Sequence, residues 1–131
     1  MQTVLCVEDN PDNRVLIRRI LQAEGYHVLE ASNAFEGLQQ ALVQRPDLIL
    51  VDINMPQIDG LTFAARIKAY PGLAGVPVVA ITANVMHGDR ERTLAAGCDG
   101  YIQKPVDVDG LPAQIARFLQ HTSFRAVEGR R

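Results

Sequence analysis

The chain has 131 residues, enough for one core of its own, and 47% of them are hydrophobic. Thirteen Lys and Arg against fifteen Asp and Glu leave a formal net charge of −2. That near-balance excludes an electrostatic footprint for nucleic acid or an anionic membrane surface, and no apolar run is long enough to span a bilayer.

Thr3 to Val7 is short and apolar, reads as a strand and ends in Glu8-Asp9; the N-terminus, Met1 to Val7, lacks the charged start and long apolar region of a signal peptide. Asn10-Pro11 supplies an N-cap and a first helical position. Leu16, Ile17, Ile20 and Leu21 then form a helical stripe that Gly25 closes. Tyr26 to Ala31 reads as a second strand. Asn33 and Glu36 have capping-box spacing, and Ala34, Leu38, Ala41 and Leu42 follow on one face of a helix that Pro46 ends. Leu48 to Val51 is an unbroken apolar run leading to Asp52, a carboxylate too costly to bury uncompensated, which predicts a strand with a charge at its tip. Taken alone, Asp52 reads equally well as a cap of the turn before Met55-Pro56.

Asp59-Gly60 starts a third helix carrying Phe63, Ala64 and Ile67, and Tyr70-Pro71-Gly72 breaks it. Val76 to Ile81 is a further buried-type strand that stops at Thr82-Ala83. A fourth helix is predicted over Gly88 to Ala96, capped by Gly97. Tyr101-Ile102-Gln103 is a short fifth strand ending at Lys104-Pro105. Leu111, Ile115, Phe118 and Leu119 mark the last helix, and Gln120 to Arg131 reads as a frayed end or the start of a linker. Cys6 and Cys98 form no metal or redox spacing and read as buried reduced thiols, as expected of a cytoplasmic protein.

Five continuous apolar strands alternating with five helices predict a doubly wound α/β domain with a parallel sheet. Ligands of such sheets bind beyond the carboxyl ends of the strands. Those ends carry Glu8 and Asp9, Asp52, Thr82 and Lys104. Three converging carboxylates repel by several kcal/mol at an effective dielectric near 20 unless a cation lies among them, and a hard oxygen set suits Mg²⁺. With Lys104 and the Thr82 hydroxyl they make a cradle for a phosphoryl group, with Asp52 as the attacking oxygen. Each member has a bland reading: Glu8-Asp9 as helix-dipole partners, Thr82 as a strand-end residue, Lys104 as a solvated lysine. Their joint placement on strand ends favours the cradle.

In this order and spacing, Glu8-Asp9, Asp52 with Met55-Pro56 and Asp59-Gly60, Thr82-Ala83, and Tyr101 with Lys104-Pro105 resemble a two-component response-regulator receiver domain of the chemotaxis-receiver type. The resemblance runs from about Thr3 to Leu119. It implies a flavodoxin-like sheet in the order 2-1-3-4-5, a receiver domain over residues 1–120, and a tail or linker start over 121–131. It also implies that Asp52 is phosphorylated by a histidine kinase or histidine phosphotransfer domain, with Lys104, Thr82 and the backbone N–H of Ala83 around the phosphoryl group. Mg²⁺, or Mn²⁺ in its stead, would be held by Asp9, Asp52 and the backbone carbonyl of Asn54, with Glu8 acting through a water. A cis bond is expected before Pro105. Thr82 and Tyr101 would switch on phosphorylation and alter the face of helix 4, strand 5 and helix 5 for a downstream protein target, with Asn84, Met86, His87 and Arg90 on or near it; His87 itself reads as a solvated loop histidine. No direct nucleic-acid or membrane contact is expected, and the oligomeric expectation is a monomer or a weak, phosphorylation-promoted dimer.

The segment from Ile81 to Asp89 is more similar to receivers of hybrid kinases and of stand-alone cell-fate regulators than to those fused to DNA-binding domains. With only a short tail after Leu119, the expectation is a single-domain regulator or a receiver excised from a longer protein. Three rival readings fit these residues less well. An aspartyl-phosphate phosphatase would need an acid at Asn54; a flavodoxin-type carrier would not place Glu8-Asp9 against a flavin phosphate. A degenerate receiver acting as a constitutive interaction module is disfavoured by the presence of Asp9, Asp52, Thr82 and Lys104.

Overall fold

Five short strands form the centre of the molecule: β1 (Thr3–Val7), β2 (His27–Ala31), β3 (Leu48–Asp52), β4 (Val78–Thr82) and β5 (Gly100–Gln103). A computed structural model describes residues 2–53, 60–82 and 93–129 of the chain. Every pairing is parallel, in the order β2-β1-β3-β4-β5. β3 and β4 are buried at all positions, which is why both read as unbroken apolar runs rather than alternating ones. β4 begins at Val78, two residues after the apolar run starts. Pro77 has no N–H for the ladder, and its carbonyl instead accepts from the Ile49 N–H at 2.9 Å.

Successive strand residues face opposite sides and meet different helices. On one face Leu5, Val7, Ile49, Val51 and Ala80 pack with Ala34 and Ala41 of α2 (Ala34–Gln44) and Phe63 and Ile67 of α3 (Gly60–Ala69). On the other, Cys6, Leu50, Val79 and Ile81 pack with Ile17 and Leu21 of α1 (Pro11–Ala23) and with Leu111 and Ile115 of the C-terminal helix (Leu111–Gly129). Each fully buried Leu or Ile on these faces contributes about 1.5–3 kcal/mol by leaving water. The result is the doubly wound, flavodoxin-like α/β fold expected from the sequence.

Local chemistry sets the helix ends. The Asn10 side chain accepts from the N–H groups of Asp12 and Asn13 at 2.9 and 3.1 Å, with Pro11 inside the first turn. Asn33 accepts from the Glu36 N–H at 2.8 Å, while the Glu36 carboxylate reaches past the cap to the Ser32 N–H and hydroxyl. Gly25 closes α1 at φ +90, in the left-handed region. At the far edge of the sheet, the Phe118 ring fills the space that a Cβ on Gly100 would need, so the C-terminal helix rests there on the β5 backbone.

Several sequence expectations shift in detail. Leu16 and Leu42 stand 39% and 45% exposed, so the buried stripes are Ile17, Ile20, Leu21 on α1 and Ala34, Gly37, Ala41 on α2. The last helix continues through Gly129, beyond the point where a frayed end was expected. Residues 93–95 are helical and belong to the end of the fourth predicted helix; the rest of that helix before Thr93, together with Asn54, Met55, Pro56, Asp59, Ala83, Asn84, Met86, His87 and Arg90, lies outside the described residues. Cys6 and Cys98 are free and buried, and burial pushes their thiols up to about 12 and about 11, away from reactivity. Among the described residues no helix is long and apolar enough to cross a membrane.

Candidate functional site

Parallel pairing brings the carboxyl ends of β1, β3, β4 and β5 to one edge, and with them the polar residues that terminate the strands. Glu8 follows β1 directly and is fully buried: its N–H continues the ladder to the Ala31 carbonyl at 3.0 Å, and its Oε2 accepts from the Asn10 N–H at 3.3 Å. Asp9, the next residue, is exposed. Asp52 closes β3 and is 3% exposed. Thr82 closes β4, is equally buried, and its carbonyl accepts from the Lys104 N–H at 2.7 Å. That bond holds the backbone just beyond β5 beside β4. The Lys104–Pro105 peptide is cis.

One oxygen from each of Glu8, Asp9 and Asp52 can be chosen so that all lie within 4.8 Å of one another. Lys104 Nζ donates to Asp52 Oδ2 at 3.0 Å and lies 3.3 Å from Glu8 Oε1, an ion pair without hydrogen-bond geometry. One ammonium therefore faces an acidic cluster that it does not balance. Burial, a hydrogen bond with Asp52 and the Asp52 charge push the Glu8 carboxyl up to about 7, against the opposing pull of the Asn10 N–H and Lys104. Burial lowers the Lys104 ammonium, but the Asp52 and Glu8 carboxylates outweigh it and hold the group above its ordinary value. A cleft of about 350 Å³ lined by Glu8, Asn13, Leu16, Lys104, Pro105 and Val106 opens beside the cluster.

The structure thus brings Glu8, Asp9, Asp52 and Lys104 together and places Thr82 on the adjoining strand end. Tyr101 sits apart: it pairs in register with Ala80, is half-buried, and lines a pocket of about 210 Å³ with Gln114, Arg117 and Phe118. Sequence reasoning passed over one group at this edge. Arg14 Nη1 donates to the Glu8 carbonyl at 2.9 Å, and its Nε lies 3.5 Å from Glu30 Oε1. The available signal was Glu30 itself, an acid inside the short strand HVLEA.

Residues 4–116 match the response regulator receiver domain family. The chain belongs to that family. It is 40% identical over 118 residues to the polar-differentiation response regulator DivK of Brucella anthropi, covering 90% of this chain and 96% of DivK. It is also similar to a solved receiver domain of a Pseudomonas aeruginosa sensor histidine kinase, with 36% identity, a TM-score of 0.84, and coverage of 91% of this chain and 98% of that one. That structure holds a magnesium ion in its active-site cleft. The Vibrio cholerae chemotaxis regulator CheY4 matches with a TM-score of 0.87 at 28% identity, covering 90% and 98%. A regulator of cell differentiation and a kinase receiver are the two kinds of relative to which the segment from Ile81 to Asp89 pointed. This is a receiver domain of two-component signalling.

Proposed function

We propose that the chain is a phosphorylation-operated switch in which Asp52 accepts a phosphoryl group from the histidine of a kinase or phosphotransfer domain. The observation that carries this reading is the Asp52 carboxylate at a buried strand tip, 3.0 Å from Lys104 Nζ and grouped with Glu8 and Asp9. An Asp52 oxygen bonds to phosphorus as the bond from phosphorus to the donor nitrogen breaks, and that nitrogen leaves with its electron pair. Lys104 is positioned to follow a phosphoryl oxygen as charge moves off Asp52, and the Thr82 hydroxyl and the Ala83 N–H supply further donors.

The hard oxygen donors and the Glu8 Oε1 left without a hydrogen bond fit a divalent cation. Asp9, Asp52 and the Asn54 carbonyl would hold Mg²⁺, or Mn²⁺, with Glu8 acting through a water. When bound, the cation offsets the crowded carboxylates and the charge of the incoming phosphoryl group. Thr82 and Tyr101 carry the change to the face formed by the fourth predicted helix, β5 and the C-terminal helix, where a downstream protein reads it. Residues 1–120 form the receiver, and 121–131, helical through Gly129, a tail or the start of a linker. Its chemistry is confined to gaining and losing its own phosphoryl group, and the chain works as a monomer or a weak, phosphorylation-promoted dimer.

Intact-mass spectrometry after incubation with acetyl phosphate tests the reading. The wild-type chain is expected to gain one phosphoryl group with Mg²⁺ and none with EDTA. Equal phosphorylation of wild type and Asp52→Asn would overturn the assignment.

A further inference from the structure

Beyond the carboxylates themselves, the loop that carries Glu8 and Asp9 is braced from behind. The β1–β2 ladder ends where the Glu8 N–H meets the Ala31 carbonyl, so the Glu8 carbonyl lies past the last strand bond. Arg14, one turn into α1, fills that vacancy at 2.9 Å. The guanidinium is fixed in turn by Glu30 on β2, whose other oxygen accepts from Arg18 at 3.0 Å and whose backbone carbonyl accepts from Gln40 of α2 at 2.6 Å. Helix α1 thus holds the Glu8 carbonyl directly, β2 holds the guanidinium, and α2 holds the β2 residue that does so; the peptide after the Glu8 carbonyl leads straight to Asp9.

We propose that Arg14, held by Glu30, is a positioning residue for the divalent cation: it fixes the Glu8 carbonyl and so sets the placement of Asp9 against Asp52. The proposal rests on the cation site described above. Groups that orient ligands from behind contribute substantially to metal affinity even though they never touch the ion. Electrostatics alone argues the opposite sign. Arg14 is a cation near an acidic cluster, so removing it would strengthen the attraction for Mg²⁺. A positioning role requires that removing it weaken binding. The direction of the change separates the two.

The test is a Mg²⁺ titration of the full chain followed by backbone amide NMR shifts, for wild type, Arg14→Met and the double variant Arg14→Met with Glu30→Gln. Methionine keeps an unbranched apolar stem in place of the largely buried arginine, and the double variant leaves net charge unchanged. Both are expected to bind Mg²⁺ on the order of 10-fold more weakly. Acetyl phosphate labelling at saturating Mg²⁺ should stay within about twofold of wild type, because the braced loop acts through the ion. Arg19→Ala, which removes a charge from the exposed side of the same helix, should not weaken binding. Unchanged or tighter Mg²⁺ binding in both Arg14 variants overturns the proposal, and so does weakening in Arg19→Ala equal to theirs. Wild type showing no response to Mg²⁺ would instead overturn the site on which it rests.

Discussion

Two lysine–aspartate pairs of nearly equal length occupy opposite ends of the sheet. Lys68 Nζ lies 2.9 Å from Asp99 Oδ2 at the amino end, and Lys104 Nζ lies 3.0 Å from Asp52 Oδ2 at the carboxyl end. Their surroundings differ. Lys68 also donates to the Val76 carbonyl at 2.8 Å, and Asp99 accepts from the Val78 N–H at 2.8 Å, so that pair ties the end of α3 to the starts of β4 and β5. Lys104 instead faces Asp52 and Glu8 with Asp9 beside them, and Glu8 keeps an oxygen without a hydrogen bond. The first pair is chemically closed and serves stability. The second is overloaded with negative charge, an arrangement characteristic of sites that receive a ligand.

Exchanging the acids should divide the two ends most sharply. Asp52→Asn is expected to end phosphorylation while raising the melting temperature of the metal-free protein, because one of three crowded carboxylates is neutralised. Asp99→Asn should leave phosphorylation intact and cost about 1 kcal/mol in urea unfolding, since the Lys68 ammonium and the Val78 N–H then face a neutral amide oxygen in place of a carboxylate. If Asp52→Asn destabilised the metal-free chain as much as Asp99→Asn does, the contrast would collapse.

Truncating the lysines should give an equally divided result. Lys104→Ala is expected to keep the fold and lose the beryllofluoride-induced NMR shifts around Tyr101. Lys68→Ala should keep those shifts and lose about 1–2 kcal/mol of stability. Retention of the Tyr101 shifts in Lys104→Ala would break the assignment of Lys104 as the group that senses the phosphoryl charge.

The subtlest difference lies in pH dependence. Folded, Glu8 keeps its proton up to about 7, against 4.5 for an ordinary glutamate in the unfolded chain. Across that interval the unfolded state binds fewer protons, so this group makes metal-free stability fall as pH rises, levelling off above the folded value. Urea midpoints between about pH 5 and pH 8 in EDTA should show the decline, and Glu8→Gln should flatten it. A slope identical in wild type and Glu8→Gln would remove Glu8 as its cause.

Much of this could be read from the chain in advance, for a physical reason. β3 and β4 are enclosed on both sides, so their sequences are apolar at every position and leave no ambiguity of period. Their last residues mark the site, because a polar group ending such a run has nowhere else to go. The helix stripes were less legible. Leu16 and Leu42 fit the spacing of a buried face yet stand outside it, because a helix packed on a sheet buries a narrower band than the periodicity allows. The Arg14–Glu30 and Lys68–Asp99 pairs were not legible at all. Each joins a helix to a distant strand or loop, and pairing of that kind exists only once the sheet order has put the elements side by side.

The seam between β5 and the C-terminal helix has a mechanical consequence. Phe118 occupies the volume that a side chain at Gly100 would need, and its ring bears on backbone rather than on a yielding side chain. Strand and helix meet there through that ring, and the 19-residue helix is a lever about 28 Å long whose fulcrum lies four residues before Lys104. A probe attached along that lever would register, magnified, any displacement that begins at the lysine.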